Sequence, residues 1–175
     1  MPDTLHQEFL HCSIERLRQS RARIEGCLGK LNADQIWARG SENENAIGNL
    51  VLHLCGNVRQ WIIAGVGGSP DVRKRDEEFA ARGGASVSEL LAKLHATVDE
   101  ACTVLERVSQ QRLLEPLVIQ QYAVTGMGAI YHVVEHFSGH TGQVIFATKM
   151  LTGEDLGFYR HLSAKAAHSQ KTPQC

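Results

Sequence analysis

Hydrophobic side chains recur at helical spacing in four stretches of the chain, and the alternation typical of a half-buried strand is nearly absent. The four predicted helices are residues 3–28, 46–64, 86–105 and 127–151. The third begins most clearly, because Ser86 and Glu89 form a capping-box pattern ahead of its apolar stripe. The fourth ends where Gly153 follows the last apolar residue. We therefore predict an all-α fold, a four-helix bundle.

The predicted connections differ in character. Residues 65–85, rich in Gly and charge, are long for a bundle connection, so we expect a crossover that lets the second and third helices lie parallel. Residues 40–45 offer N-capping side chains for the second helix. Pro116 argues against helix, which predicts a short extended segment or ordered loop over residues 114–122. Residues 1–162 are predicted as one domain, followed by a mobile tail at 163–175.

Composition limits the classes of function. The 175 residues, 43% of them hydrophobic, suit a single core. The net charge of -1 comes without a basic stripe, so we expect no nucleic-acid partner. The first residues lack the pattern of a signal peptide and no long apolar run follows, so we expect a cytoplasmic protein with no membrane partner. The 5 cysteines show no CxxC pair and are expected to be reduced core thiols.

Three histidines lie on or beside predicted core faces. His136 and His140 stand one turn apart on the apolar face of the fourth helix, a spacing from which two imidazoles can bind one ion. His53 lies at the edge of the apolar stripe of the second helix and can supply a third ligand. One buried histidine is more often a neutral, hydrogen-bonded side chain. Three together are costly to bury without a shared partner, so we predict one divalent metal ion on this trio.

Other polar residues accompany the trio. Gln143 shares the face of the histidine pair, and Asn57 follows His53 by one turn; each is a candidate to orient a ligand or water, or a plain helix contact. His132, at the edge of the stripe, is a candidate for the same supporting role or a plain surface-edge histidine. Residues 132–136 also match the H-x-x-E-H motif of zinc peptidases. Glu135, however, points about 100° away from His136 on a helix, which disfavours that interpretation.

The segments around these histidines resemble the DinB-like (damage-inducible, YfiT-like) superfamily of metalloenzymes. The resemblance rests on residues 45–57, 131–143 and 151–159. It implies a four-helix bundle with a long crossover between the second and third helices, a nickel or zinc ion on His53, His136 and His140, and a homodimer. Some members of that superfamily are transferases that use low-molecular-weight bacterial thiols, and others are hydrolases or isomerases.

Three protein ligands leave at least one coordination position open, as is typical of a catalytic ion. The first hypothesis is therefore a metal-dependent transferase, thiol-dependent in one version, or a hydrolase that acts on a small molecule. An alternative is a metal-binding or ligand-binding bundle without turnover. A third is a metal-free interaction module whose histidines are satisfied by hydrogen bonds. An open cavity beside the ion would favour catalysis, and a sealed site would favour a structural role.

Overall fold

Four long helices form the framework of the computed structural model, which describes residues 4–160. They are α1 (Leu5–Leu28), α3 (Ile47–Val58), α5 (Val87–Leu105) and α7 (Gly126–Thr152). Helix α1 packs against α5 and α7, and α3 packs against the same two helices, which closes a four-helix bundle. The predicted all-α fold is confirmed. The tail predicted at 163–175 lies outside the described residues.

Shorter elements complete the described part of the chain. They are α2 (Ala33–Trp37), α4 (Arg75–Ala80), α6 (Gln110–Leu114), β1 (Pro116–Ile119) and β2 (Tyr122–Thr125). The two strands pair antiparallel, with Ile119 opposite Tyr122, so the segment predicted as extended or loop begins a β-hairpin. Helix α4 lies within the long crossover, where no helix was predicted because six charge-rich residues carry no apolar period.

The helix ends test the capping predictions. Ser86 and Glu89 form the predicted capping box: Ser86 Oγ accepts from the Glu89 N–H at 3.3 Å, and Glu89 Oε2 accepts from the Ser86 N–H at 2.8 Å. Gly153, with φ 67°, ends α7 as predicted. The prediction of a side-chain cap from residues 40–45 was wrong. Asn49, inside α3, instead accepts from the N–H of Ala46, the residue before the helix, at 3.2 Å.

Helix α3 continues as a π-helical segment over Arg59–Val66. The wider turn lets three successive side chains, Trp61, Ile62 and Ile63, all be buried. Gly65 then lets the hairpin approach closely, because a methyl group there would overlap the side chain of Ile119. The segment therefore brings both Trp61 and the hairpin to one side of the bundle.

Large apolar side chains fill the space between the four helices. Leu17, Ile24, Leu54, Leu94 and Phe137 are among those with almost no exposed surface. Burying each such side chain stabilises the folded state by about 1.5–3 kcal/mol. This packing holds in place the helices that carry the polar site. Within residues 4–160, no helix combines the length and apolarity needed to cross a bilayer.

Candidate metal centre

The side chains of His53, His136 and His140 meet between α3 and α7. Nε2 of His136 lies 3.0 Å from Nε2 of His53 and 3.2 Å from Nε2 of His140. One ligand nitrogen from each ring lies within 4.8 Å of the other two. Two nitrogens bound to one zinc ion at tetrahedral positions are about 3.3 Å apart. The spacing therefore suits a single ion.

The hydrogen bonds around the rings test whether a cation fits this group. A neutral imidazole has one donor and one acceptor nitrogen. Nδ1 of His53 faces Glu78 Oε2 at 3.2 Å, and Nδ1 of His140 faces Gln143 Oε1 at 2.7 Å. With protons on these two atoms, two Nε2 lone pairs point at His136, which can donate to only one of them. A divalent cation accepts all three lone pairs, so the donor set fits an ion such as zinc or nickel.

Burial keeps two of the three rings in the form that binds a metal. Burial lowers the pKa of His136 to about 3, and the neighbouring rings of His140 and His53 act in the same direction. Burial also lowers the pKa of His140, against the opposing effect of its hydrogen bond to Gln143. Because both rings are neutral near pH 7, protons do not compete with a cation there.

An ion pair from the crossover lies behind His53. Arg73 donates from Nε to Glu78 Oε1 and from Nη2 to Glu78 Oε2, both at 2.8 Å, and its Nη2 is 3.1 Å from His53 Nδ1. Burial acts to raise the pKa of Glu78, but the hydrogen bonds and charges of Arg73 and His53 outweigh it and lower that pKa. When His53 carries its proton on Nδ1, the ionised Glu78 is the acceptor for it, the arrangement typical behind a metal-binding imidazole.

Gly56 allows this ion pair to lie against α3. A methyl group at Gly56 would overlap the carboxylate of Glu78 and come within 2.9 Å of Nε of Arg73. Gly56 lies one turn after His53, on the side where Glu78 reaches the ring. A residue without a Cβ is therefore needed at this position for Glu78 to contact the histidine.

A cavity of about 410 Å³ opens beside the histidines. His53 and His136 lie in its wall together with His132, and the hairpin contributes Gln120 and Tyr122. Gln120 has a positive φ of 50°, an uncommon conformation for a residue with a side chain. The histidine group is thus open to a space that can receive a small molecule.

Two further residues in the cavity wall carry buried polar atoms without partners. Asn57 and Trp61 are each 3% exposed, and Asn57 Oδ1 and Trp61 Nε1 find no hydrogen-bond partner among the described residues. The indole of Trp61 lies against His132, with 4.1 Å between ring centroids. Buried polar groups are rarely left unpaired, so these two atoms indicate a place where a ligand or water binds.

The buried thiol of Cys55, two residues from His53, lies outside the histidine group. It lines a second cavity of about 410 Å³, together with Thr97 and Lys93 of α5. Burial raises the pKa of the Cys55 thiol to about 11. A neutral thiol is a weak ligand and nucleophile, so Cys55 contributes neither to the candidate metal centre nor to reactive chemistry.

The six residues singled out from the sequence come together around this site. His53, His136 and His140 form a group that could hold a metal ion, Gln143 contacts His140, and Asn57 and His132 lie in the cavity wall. Glu135 is exposed on α7. Neither Glu135 nor His132 belongs to the group of possible metal ligands found in residues 4–160, so the peptidase motif has no corresponding site there.

Sequence comparison places the chain in a family. The model of a family described as a protein of unknown function, DUF1572, matches residues 4–165. The chain belongs to this family. No curated protein matches the sequence of this DUF1572 protein significantly.

Solved structures support the fold of this DUF1572 protein. A conserved protein from Enterococcus faecalis is 17% identical with a TM-score of 0.71, covering 82% of this chain and 97% of its own. The DinB-like protein YjoA from Bacillus subtilis is 15% identical with a TM-score of 0.65, covering 84% and 96%. A mutant of a mycothiol-dependent maleylpyruvate isomerase is 12% identical with a TM-score of 0.56, covering 77% of this chain and 60% of its own. The resemblance to the DinB-like superfamily is thus confirmed in the fold.

Several site residues of this DUF1572 protein were not found from its sequence. Arg73 and Glu78 lie in the crossover, among neighbouring charges such as Asp76 and Glu77, and no spacing distinguishes them. The usual presence of a carboxylate behind a metal-binding histidine was the one available signal, and it does not select a position. Trp61 belongs by its spacing to the apolar stripe of the second predicted helix, and the sequence does not indicate the π-helical segment that carries it.

Proposed function

We propose that this DUF1572 protein is a divalent-metal-dependent enzyme that acts on a small molecule, with His53, His136 and His140 as the protein ligands. The observation that carries the proposal is the meeting of three Nε2 atoms in and beside the wall of an open cavity. A divalent ion held there supplies a Lewis acid with at least one position free for substrate.

The surrounding residues would orient the ligands. Glu78 accepts from His53 Nδ1–H and Gln143 accepts from His140 Nδ1–H, which keeps both Nε2 lone pairs directed inward. Arg73 holds the Glu78 carboxylate in place through two hydrogen bonds. Two of the three rings are thereby fixed before any ion binds, which reduces the entropy cost of binding.

We propose group transfer with a low-molecular-weight thiol as the reaction class, and hydrolysis as the alternative. The fold shared with a mycothiol-dependent isomerase supports the first. His132 supports either reaction as a proton acceptor: burial lowers its pKa, against the opposing charge of Glu135, so the ring is neutral near pH 7. Its place in the cavity wall puts it within reach of a bound thiol or water.

The proposal includes nickel or zinc as the ion, the cytoplasm as the compartment and a homodimer as the assembly. Imidazole nitrogens suit both metals. Four free cysteines within the described chain agree with a reducing compartment. Exposed Tyr131, Phe146 and Met150 on α7 offer apolar surface for a second copy. Analytical ultracentrifugation at micromolar concentration tests the assembly.

Metal analysis tests the ligand assignment. We expect the protein, produced in medium containing zinc and nickel, to carry about one ion per chain, as three histidines sharing one centre would hold. His140→Ala should lose most of that metal, whereas His11→Ala, which removes an exposed histidine of α1, should keep it. If the wild type and His140→Ala carry equally little metal, the centre does not exist.

Turnover assays test the enzyme assignment separately. Metal-loaded protein would be incubated with a low-molecular-weight thiol and a panel of electrophiles, and in parallel with a panel of esters and amides. Metal-dependent turnover that is lost in His140→Ala supports an enzyme and identifies the class. Tight metal binding without turnover in either panel would favour the non-catalytic metal-binding alternative.

A further inference from the structure

The cavity beside the histidines contains an uncompensated positive charge. Arg73 and Arg75 lie in its wall, whereas no Asp or Glu within residues 4–160 does. Arg73 is neutralised by Glu78 through an ion pair at 2.8 Å. Arg75 has no carboxylate partner in the described part of the chain, so its guanidinium is the charge available to a ligand.

Phe79 places Arg75 close to the metal centre. The guanidinium of Arg75 lies over the Phe79 ring, 4.8 Å from its centroid. The same ring contacts His53, with 4.7 Å between the two ring centroids. The cationic side chain is therefore held by an aromatic contact rather than by an acid, and a single ring separates it from a predicted metal ligand.

The remaining wall supplies flat apolar surface and unpaired polar atoms. The rings of Trp61 and Tyr122 are tilted by 33° with 6.4 Å between their centroids, and Trp61 also packs against His132. Two of the residues that line the cavity, Trp61 and Asn57, carry a buried donor (Nε1) and a buried acceptor (Oδ1) that have no partner in the described chain. A molecule with a flat apolar body and polar ends would satisfy both kinds of surface.

We propose that this cavity binds a small organic carboxylate with a flat apolar body, the carboxylate on Arg75 and the body against the exposed ring of Tyr122, which lies beside the buried ring of Trp61. The planar guanidinium matches a carboxylate with two parallel N–H donors. The absence of acids from the described wall leaves nothing to repel an anion. This inference rests on the proposed function in that it assigns the substrate class of the same site.

Isothermal titration calorimetry on the metal-loaded protein provides the test, with 2-naphthoate as the probe and 2-naphthamide as its neutral counterpart of the same shape. We expect 2-naphthoate to bind at least tenfold more tightly than 2-naphthamide. Arg75→Gln should remove that preference. Lys74→Gln should preserve it, because Lys74 directly precedes Arg75 but pairs with Glu77 at 3.1 Å and lies outside this cavity wall.

Metal content, measured on the same samples, separates this inference from the proposed function. Loss of the 2-naphthoate preference in Arg75→Gln with its metal retained supports the inference. Equal binding of 2-naphthoate and 2-naphthamide to metal-loaded protein overturns it and leaves the metal centre standing. Arg75-dependent binding of 2-naphthoate to protein that holds no metal supports the anion site while the proposed metal-dependent function fails.

Discussion

Oε2 of Glu78 lies 3.2 Å from Nδ1 of His53, the ring nitrogen other than the one that faces His136. The two residues come from different parts of the fold, His53 from α3 and Glu78 from the short helix of the crossover. The crossover therefore does more than connect two helices. It carries the Glu78 carboxylate, which restricts the orientation of the His53 imidazole in the candidate metal centre.

Removing the charge of Glu78 should weaken metal binding. In Glu78→Gln the acceptor for His53 Nδ1–H becomes a neutral amide, so the imidazole is a poorer ligand and its orientation is less restricted. We expect metal affinity to fall about tenfold or more, the usual effect of such a change behind a ligand. Competition with a chromophoric chelator measures the affinity.

Glu77→Gln is the matched control for this change. Glu77 is the adjacent residue and its side chain is exposed and paired with Lys74. The control should bind metal as the wild type does. Identical affinities for Glu78→Gln and the wild type would show that the contact with His53 does not act on the metal centre.

A methyl group on Gly56 should displace the ion pair behind His53. In Gly56→Ala the added methyl group would overlap the carboxylate of Glu78. Either the carboxylate moves away from His53, or the contact between α3 and α4 is strained. We expect a loss of about 1–3 kcal/mol in unfolding free energy, typical of overpacking, together with weaker metal binding. Urea denaturation and chelator competition measure the two effects.

Gly142→Ala provides the contrasting variant. Gly142 lies on the exposed side of α7, where an added methyl meets nothing within 4 Å. Since alanine is favoured over glycine in a helix by about 0.5–1 kcal/mol, this variant should be slightly more stable than the wild type. A loss of stability in Gly142→Ala equal to that in Gly56→Ala would contradict the steric explanation.

The metal-free protein should lose stability on mild acidification. The pKa values of His136 and His140 are lowered in the folded state, that of His136 from 6.5 to about 3. The unfolded chain therefore binds more protons than the folded chain as the pH falls below about 6.5, and unfolding becomes easier. We expect a loss of about 1–2 kcal/mol between pH 7 and pH 5, after discounting for partial exposure.

Urea denaturation in the presence of a chelator measures this pH dependence. His136→Gln should reduce the loss between pH 7 and pH 5, because its side chain takes up no proton in either state. His11→Gln, which replaces an exposed residue, should leave the loss unchanged. Stability that rises on acidification would contradict the assigned direction of the histidine pKa shifts.

Cys55 should be inert despite its position two residues after His53. Burial raises its pKa to about 11, so almost no thiolate exists near neutrality. We expect the native protein to react slowly with a thiol reagent at this position, with mass spectrometry locating the label. Cys55→Ala should bind metal as the wild type does, and a loss of metal in that variant would make the thiol a ligand.

The elements that depend on local pattern were predictable. The capping box at Ser86, the glycine end of α7 and the one-turn spacing of His136 and His140 follow from residues adjacent in sequence or one turn apart. The position of His53 beside the core was predictable because an apolar stripe defines the buried face of its helix. In each case the interaction that matters lies within one helix, where the period of 3.6 residues is fixed.

The parts that depend on long-range packing were not predictable. Glu78 contacts His53 only because Gly56 has no side chain to block its carboxylate. No sequence pattern at Glu78 or Gly56 indicates this contact. The π-helical segment lets Trp61 and its neighbours all be buried against other elements, which the spacing of an ordinary helix does not indicate. The cavity in turn needs the hairpin to pack on that segment. Tertiary contacts of this kind do not appear in the periodicity of any one stretch.

Anomalous diffraction from a crystal of the zinc-loaded protein, collected at the zinc absorption edge, tests the central claim most directly. We predict one peak per chain, about 2.0–2.1 Å from Nε2 of each of His53, His136 and His140. The Nδ1 atoms of His53 and His140 should still face Glu78 and Gln143. A chain without a peak between these rings, or a peak bound by other residues with the His53 ring turned away, would contradict the account.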